Sequence, residues 1–267
     1  MQNGGNVLEI DKLKVYFPVR QGLFSRISGY VKAVDDVSFT VRRGETLALV
    51  GESGSGKSTI ARTVAGLVKA TGGTVKLNGR LGMVFQDPLG SLNPRQTVGE
   101  IITSVPMGFE KPDAQELIDL VELGRSMLGK FPHEMSGGER QRVCIARALA
   151  VKPALLVCDE ALSALDLSIR SQVLDLLNGL KDRLSLSMLF ISHDLGVVRH
   201  IAERIVVMQR GKAVEQGLCR EVLEHPESEY VKNLIAAVPR IKYGRGKDVP
   251  EPVSRSNFDI ISPNANA

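Results

Sequence analysis

Two short runs of the chain, Pro153–Glu160 (PALLVCDE) and Ser187–Asp194 (SMLFISHD), are apolar nearly throughout. A near-continuous apolar run of strand length marks a strand covered on both faces in a parallel sheet. Between and around them, apolar residues recur at helical spacing in Gly138–Val151, Ser168–Leu184 and Leu195–Ile205. The first of these is the strongest, with Val143, Ala146, Leu149 and Ala150 on one face. Lys57–Val68 also has helical periodicity, and residues 113–128 read as a helical segment interrupted by a glycine. The first part of the chain is patterned differently. Val7–Phe17 alternates as a half-buried strand does, and Val31–Gly51 supplies two more strands, the second ending at Gly51. Pro18–Tyr30 is punctuated by Gly, Pro and Ser and reads as a loop. Gly72–Gln86 returns to strands around an Asn78-Gly79 turn, and Arg204–Gly217 reads as a hairpin turning at Gly211. Antiparallel strands followed by strand–helix alternation predict an α/β fold.

Composition narrows the function classes. Of 267 residues, 43% are hydrophobic, enough for a sizeable core. The balance of 34 basic and 30 acidic residues leaves a net charge of +4, which is a mixed solvated surface. With no Trp, four Tyr and eight Phe, and no basic run interleaved with aromatics, nucleic acid is not an expected partner. Cys144, Cys158 and Cys219 form no metal-binding spacing, and the first two sit among apolar neighbours as buried thiols of a reducing compartment do. The N-terminal stretch lacks the apolar core of a signal peptide, and no apolar run reaches membrane-spanning length. A cytosolic location follows as the expectation, with a membrane protein as a possible partner. From about Arg240 the chain turns Gly-, Pro-, Ser- and Asn-rich, so residues 1–239 are expected to form the folded domain and 240–267 a fraying tail.

The chemistry lies where the patterns break. Gly51-Glu52-Ser53-Gly54-Ser55-Gly56-Lys57-Ser58 matches G-x-x-x-x-G-K-[ST] in full, with a strand before it and a helix after it. A triphosphate needs many donors converging on it, and only glycines let successive backbone N–H groups face inward that closely. The following helix adds its N-terminal dipole. In such a loop Lys57 reaches the β- and γ-phosphates and Ser58 places a hydroxyl on Mg2+, with Thr59 beside it. A flexible turn between strand and helix would use the same glycines without the lysine. The run 154–160 delivers Asp159 and Glu160 to the carboxyl end of a buried strand, where open α/β sheets bind ligands. Asp159 suits a magnesium ligand, and Glu160 a general base for the attacking water. A solvated strand end would carry two acids as readily. Ser136-Gly137-Gly138 then presents a second phosphate-type loop at a helix N-terminus, yet one nucleotide does not need two such loops.

The stretch "MSGGERQR" around Ser136 resembles the signature sequence of ABC-type ATPases. In that family the loop completes the ATP site of a partner subunit. The remaining motifs match in order. Gln86 in "MVFQD" resembles the Q-loop glutamine, which touches Mg2+ and water and senses the transporter; Asp166 in "SALD" resembles the D-loop at the dimer seam; His193 in "FISHD" resembles the switch histidine that contacts the γ-phosphate. Phe17 matches the adenine-stacking aromatic by strand register, with Tyr16 next. The motifs cover residues 7–217. The wording of "YFPVRQGLFSR", "VFQDPLGSLNPRQTVGE" and "HPESEYVKNLIAAVP" is similar to ATPases of the oligopeptide/dipeptide/nickel importer group, the last phrase matching their short C-terminal extension, here about 218–239. The resemblance implies a P-loop NTPase (RecA-like) core, an antiparallel β subdomain and a short α-helical signature subdomain. It also implies ATP and Mg2+ as cofactors and a place on the cytoplasmic face of the cell membrane. The implied partners are two membrane-spanning permease subunits, a second ABC ATPase, identical or a sibling, and, indirectly, an extracytoplasmic solute-binding protein. The implied function is ATP hydrolysis that energises peptide import.

Some features depart from the family pattern. Only 29 positions separate Lys57 from Gln86, and 50 separate Gln86 from Ser136; both segments are short, which touches the transporter contacts rather than ATP binding. Ala161 stands where a proline often follows the glutamate, and no cysteine cluster follows the domain, so no iron–sulfur centre is expected. The same engine would serve import of nickel or a metal chelate. A soluble ABC ATPase acting on ribosomes or DNA would carry two cassettes or a long coiled-coil insertion, and a simple P-loop kinase would not need the "SGGE" loop.

Overall fold

The structure is a computed structural model, and it describes residues 5–21 and 26–237. The predicted tail at 240–267 lies outside the described residues. Among the described residues, nine strands form two sheets. Strand β1 (Asn6–Gln21) pairs antiparallel with β2 (Arg26–Arg42) on one side and with β4 (Gly72–Leu77) on the other. The larger sheet runs β5 (Leu81–Val84), β6 (Leu155–Asp159), β7 (Ser187–Ser192), β3 (Thr46–Val50), β8 (Arg204–Gln209), β9 (Lys212–Leu218), parallel throughout except for the β8–β9 hairpin.

The apolar runs are apolar because both faces of the large sheet are covered. In β3, Leu47 and Leu49 face the antiparallel sheet and α1 (Lys57–Val64), while Ala48 and Val50 face the opposite layer of helices. Strands β6, β7 and β8 alternate in the same way: Val157, Leu189 and Val206 join the first core, and Cys158, Phe190 and Ile205 the second. The second core is roofed by α5 (Gly137–Leu149), α6 (Leu167–Leu184) and α7 (Leu195–Ile201), and by the helical arm of α2 (Pro88–Ser91), α3 (Val98–Thr103) and α4 (Ala114–Leu120). Removing a ring as buried as Phe190 costs about 3–5 kcal/mol. The last described elements are α8 (Cys219–Glu224) and α9 (Glu229–Ala236), whose Val222 and Val231 are buried in this same core.

Three details differ from the sequence pattern. Residues 18–21 and 26–30 are strand rather than loop: β1 runs on to Gln21 and β2 begins at Arg26, with Phe17 opposite Val31 and Val19 opposite Gly29. Neither strand face is buried here, Phe17–Arg20 being exposed throughout, so no alternation marks these residues as strand. The Asn78-Gly79 turn joins no hairpin, because β4 and β5 belong to different sheets. Asn78 instead ties the crossing to β1, its backbone N–H donating to Val7 O at 2.8 Å and its side chain to Asn6 O at 2.9 Å. The last helical stretch stops at Ile201, and Arg204 and Ile205 belong to β8. The turn at Gly211 does form, with Arg210 at φ 48° and Gly211 at φ 81°, the left-handed pair of a two-residue hairpin.

Candidate functional site

Strand β3 ends inside the large sheet, and the chain must turn sharply to enter α1. Gly51 makes the turn at φ 145°, where a Cβ would lie 2.2 Å from the Met208 carbonyl; Gly56 precedes the helix at φ 107°, where a Cβ would lie 2.2 Å from the Ala33 carbonyl. Neither position admits a side chain. The loop wraps its own lysine: Lys57 Nζ donates to Gly51 O at 2.7 Å and Glu52 O at 2.8 Å. The ammonium is 3% exposed as a residue, and burial pushes its pKa below the usual lysine range, against the opposing pull of Glu160, Asp159 and Glu52. α1 ends a few residues on, where Gly66 adopts φ 73° and Leu67 N donates back to Arg62 O.

The β6 strand end faces this loop. Ser58 Oγ donates to Asp159 Oδ1 at 2.8 Å. Burial pushes the Asp159 carboxyl up, and the Ser58 bond works against that shift. Glu160 follows at φ 48°, a left-handed conformation held by its N–H donating to Ile191 O and its carbonyl accepting from Ser163 N and Oγ. For a residue with a Cβ this is an uncommon and costly geometry, of the kind found at active sites. One carboxylate oxygen of Glu160, Oε2, lies 3.4 Å from Gln86 Nε2 and 3.5 Å from His193 Nδ1. Three segments remote in sequence thus converge on one carboxylate.

Asp159 and His193 are not part of the lining, but one cleft of about 370 Å3 is formed by Ser53, Gly54, Gly56, Lys57, Ser58, Thr59, Gln86 and Glu160 together with Val31, Lys32, Ala33 and Arg210. The last four were not singled out by sequence; only the Arg210-Gly211 turn carried a signal. That turn is stitched in place, with Gly211 N donating to Ser55 O at 3.0 Å and Gly211 O accepting from Asp35 N at 2.7 Å. Phe17 is 42% exposed on β1, paired with Val31, which itself lines the cleft. Tyr16, the other aromatic considered, has its hydroxyl bonded to Asp35. A larger groove of about 720 Å3 adjoins the cleft, sharing Gln86 and continuing past Asp159, Asp87, Ser91 and Arg147.

Ser136, Gly137 and Gly138 do not line the cleft. Ser136 caps α5 through a capping box: its N–H and hydroxyl reach Glu139 Oε2 at 2.7 and 2.8 Å, and Glu139 N donates back to its Oγ at 3.3 Å. These bonds hold the Glu139 carboxyl below the usual range. Asp166 stands at the N-terminus of α6, and the two helix starts lean together, with Leu165 behind Gly137 and Ile169 behind Gly138. Arg170 on α6 bonds Leu165 O and Asp194, the residue after His193.

The family model described as ABC transporter matches residues 34–163. The chain is 44% identical over 262 residues to the oligopeptide transport ATP-binding protein OppF of Lactococcus lactis subsp. lactis, covering 90% of this chain and 82% of that one. It is 45% identical over 259 residues to the oligopeptide transport ATP-binding protein OppF of Salmonella typhimurium, covering 87% and 78%. Among solved structures, an ATP-binding cassette in a dimeric post-hydrolysis state bound to ADP and Pi superposes with a TM-score of 0.68 at 26% identity, over 80% of this chain and 99% of that one.

Proposed function

The chain belongs to the ABC transporter family, and from that premise we propose that it is the ATP-hydrolysing subunit of an importer that carries peptides across the cytoplasmic membrane. The observation that carries the reading is the cleft itself. A lysine-wrapped glycine loop and a glutamate held in a strained conformation line it, and its Ser58 hydroxyl is bonded at 2.8 Å to the Asp159 carboxylate behind it.

The surroundings of each residue support a role in this reading. The backbone N–H groups from Gly54 to Ser58 and the α1 dipole cradle the phosphates. Lys57, aimed by the two carbonyls it donates to, stabilises charge on the transferred phosphoryl group. Glu160 accepts a proton from the attacking water, and Gln86 and His193 hold its carboxylate and the water in line. Phe17 offers its exposed ring to the adenine. The donors fit Mg2+: Ser58 Oγ and Asp159 are hard oxygens, and among the described residues no cluster of three or more His, Cys, Asp or Glu competes for a metal. Such an ion would neutralise charge on the bound phosphates.

Ser136–Gly138 stand outside the cleft of their own chain, so their phosphate-binding geometry serves a second ATPase subunit packed head to tail, identical or a sibling. ATP joins the two; loss of the γ-phosphate removes the differential contact and reopens the pair. No helix among the described residues is long and apolar enough to cross a membrane. The subunit therefore works peripherally, with the groove beside Gln86 and Asp87 facing two permease subunits and a solute-binding protein delivering peptide on the other side. The test is reconstitution with candidate permease subunits: peptide delivery stimulates ATP hydrolysis, and hydrolysis indifferent to every peptide would overturn the cargo assignment.

A further inference from the structure

The C-terminal extension reaches the nucleotide loop. Tyr230, at the start of α9, packs its ring against the helical-side core and accepts a hydrogen bond from the backbone N–H of Glu52 at 3.2 Å. Its hydroxyl borders a small cleft of about 110 Å3 with Glu52, Ser53, Gly54, Ser55 and Arg210. The contact spans 178 positions of sequence. It is not a loose approach of a chain end. Glu215 in β9 accepts from both Glu227 N at 3.0 Å and Ser228 N at 2.9 Å, fixing the entry to α9, and Val231 is 1% exposed.

The same residue of the loop is gripped from its other polar group. The Glu52 carbonyl accepts from Lys57 Nζ at 2.8 Å and from Ser55 N at 3.2 Å. Tyr230, Glu52 and Lys57 therefore form a hydrogen-bonded line from the extension to the phosphate-binding ammonium. We propose that Tyr230 is a positioning residue for nucleotide binding: its hydroxyl sets Glu52, and Glu52 sets the Lys57 ammonium before the triphosphate arrives. A preorganised loop loses less freedom on binding, so the contribution falls on affinity rather than on the chemical step. This rests on the nucleotide reading of the cleft given above.

The experiment is a double-mutant cycle on the full chain, with Mg-ATP as the titrant. Tyr230→Phe keeps the ring and removes the acceptor. Glu52→Pro removes the donor, and Glu52→Ala controls for the lost carboxylate. Tyr230→Phe is expected to raise the KM for ATP about threefold to tenfold, the range of one hydrogen bond, with kcat unchanged. The thermal midpoint of the nucleotide-free protein should move little. In the Glu52→Pro background the same substitution should add nothing. Wild-type affinity in Tyr230→Phe overturns the inference, and so does a full additive effect on top of Glu52→Pro. If Glu52→Pro does not fold, the split between KM and kcat in Tyr230→Phe decides alone: a fall in kcat at unchanged KM sinks the proposal. Failure of the wild-type protein to bind Mg-ATP sinks the nucleotide reading instead.

Discussion

Two glycine-rich loops open helices in this molecule, and they use glycine for different reasons. In the loop at Gly51–Ser58 the glycines are conformational: Gly51, Gly54 and Gly56 all have positive φ, and two of them lie against carbonyl oxygens. The loop closes on its own lysine and is complete within one chain. In the loop at Ser136–Gly138 the glycines are the first residues of a regular helix. Space, not backbone, is the constraint at Gly138, where a Cβ would lie 2.7 Å from Ile169, whereas one on Gly137 would meet Leu165 at an ordinary 3.8 Å. This second loop has every local bond it needs and no cleft of its own. A loop that is satisfied at home and still shaped for an anion fits the proposed role at a second subunit's ligand.

The comparison can be broken in order of expected effect. Glu160→Gln should lower hydrolysis about 100-fold to 10,000-fold, the range of a general base, while ATP still binds and a dimer accumulates; light scattering with ATP reads the mass. A monomer under those conditions would remove the reason for the second loop. Lys57→Ala should abolish tight nucleotide binding, whereas Ser136→Arg should leave single-chain affinity intact and stop turnover. If the protein pairs with itself, mixing the two inactive variants rebuilds one whole site from the intact loop of each and restores hydrolysis. Silence from the mixture, with wild-type homodimers shown to be active, would mean both loops act in one chain.

Backbone substitutions sharpen the contrast further. Gly56→Ala should destabilise the fold by about 3 kcal/mol or prevent it, through strain and clash together. Gly137→Ala should keep the thermal midpoint within about 2 °C of wild type, since it fills an ordinary van der Waals gap in a helix. Equal losses at both positions would erase the distinction. The smallest effect concerns acid. Glu139 is held below its ordinary range by the Ser136 cap, so its contribution is present above the unfolded value of 4.5 and fades as pH falls through the lowered native value. Glu139→Ala should cost about 1 kcal/mol at neutral pH and less than that at pH 3, read by chemical denaturation at both.

The sequence pattern carried most of the large sheet, because a strand covered on both faces needs apolar residues at every position, and Leu155–Cys158 and Met188–Ile191 comply. It carried the phosphate loop for a similar reason: the positions that forbid a Cβ can only be glycine. The strand residues at 18–21 and 26–30 were not legible, since exposed positions such as Phe17–Arg20 have no buried face to write an alternation. Glu160 was legible as an acid but not as a strained residue, for nothing in its neighbours encodes a positive φ. Tyr230 was hidden most completely. A single tyrosine on an amphipathic helix reads as packing, and only the fold brings its hydroxyl to Glu52.

The short turn at Arg210-Gly211 has a mechanical side. Its Gly211 holds the phosphate loop by one peptide group and the antiparallel sheet by the same residue's other polar atom. Such a rivet shortens the lever between the place where phosphate is lost and the three-stranded sheet: tension at Ser55 arrives at Asp35 across a single residue. The cassette should then recoil as one slab when the γ-phosphate leaves, with slack confined to the helical arm on the far side.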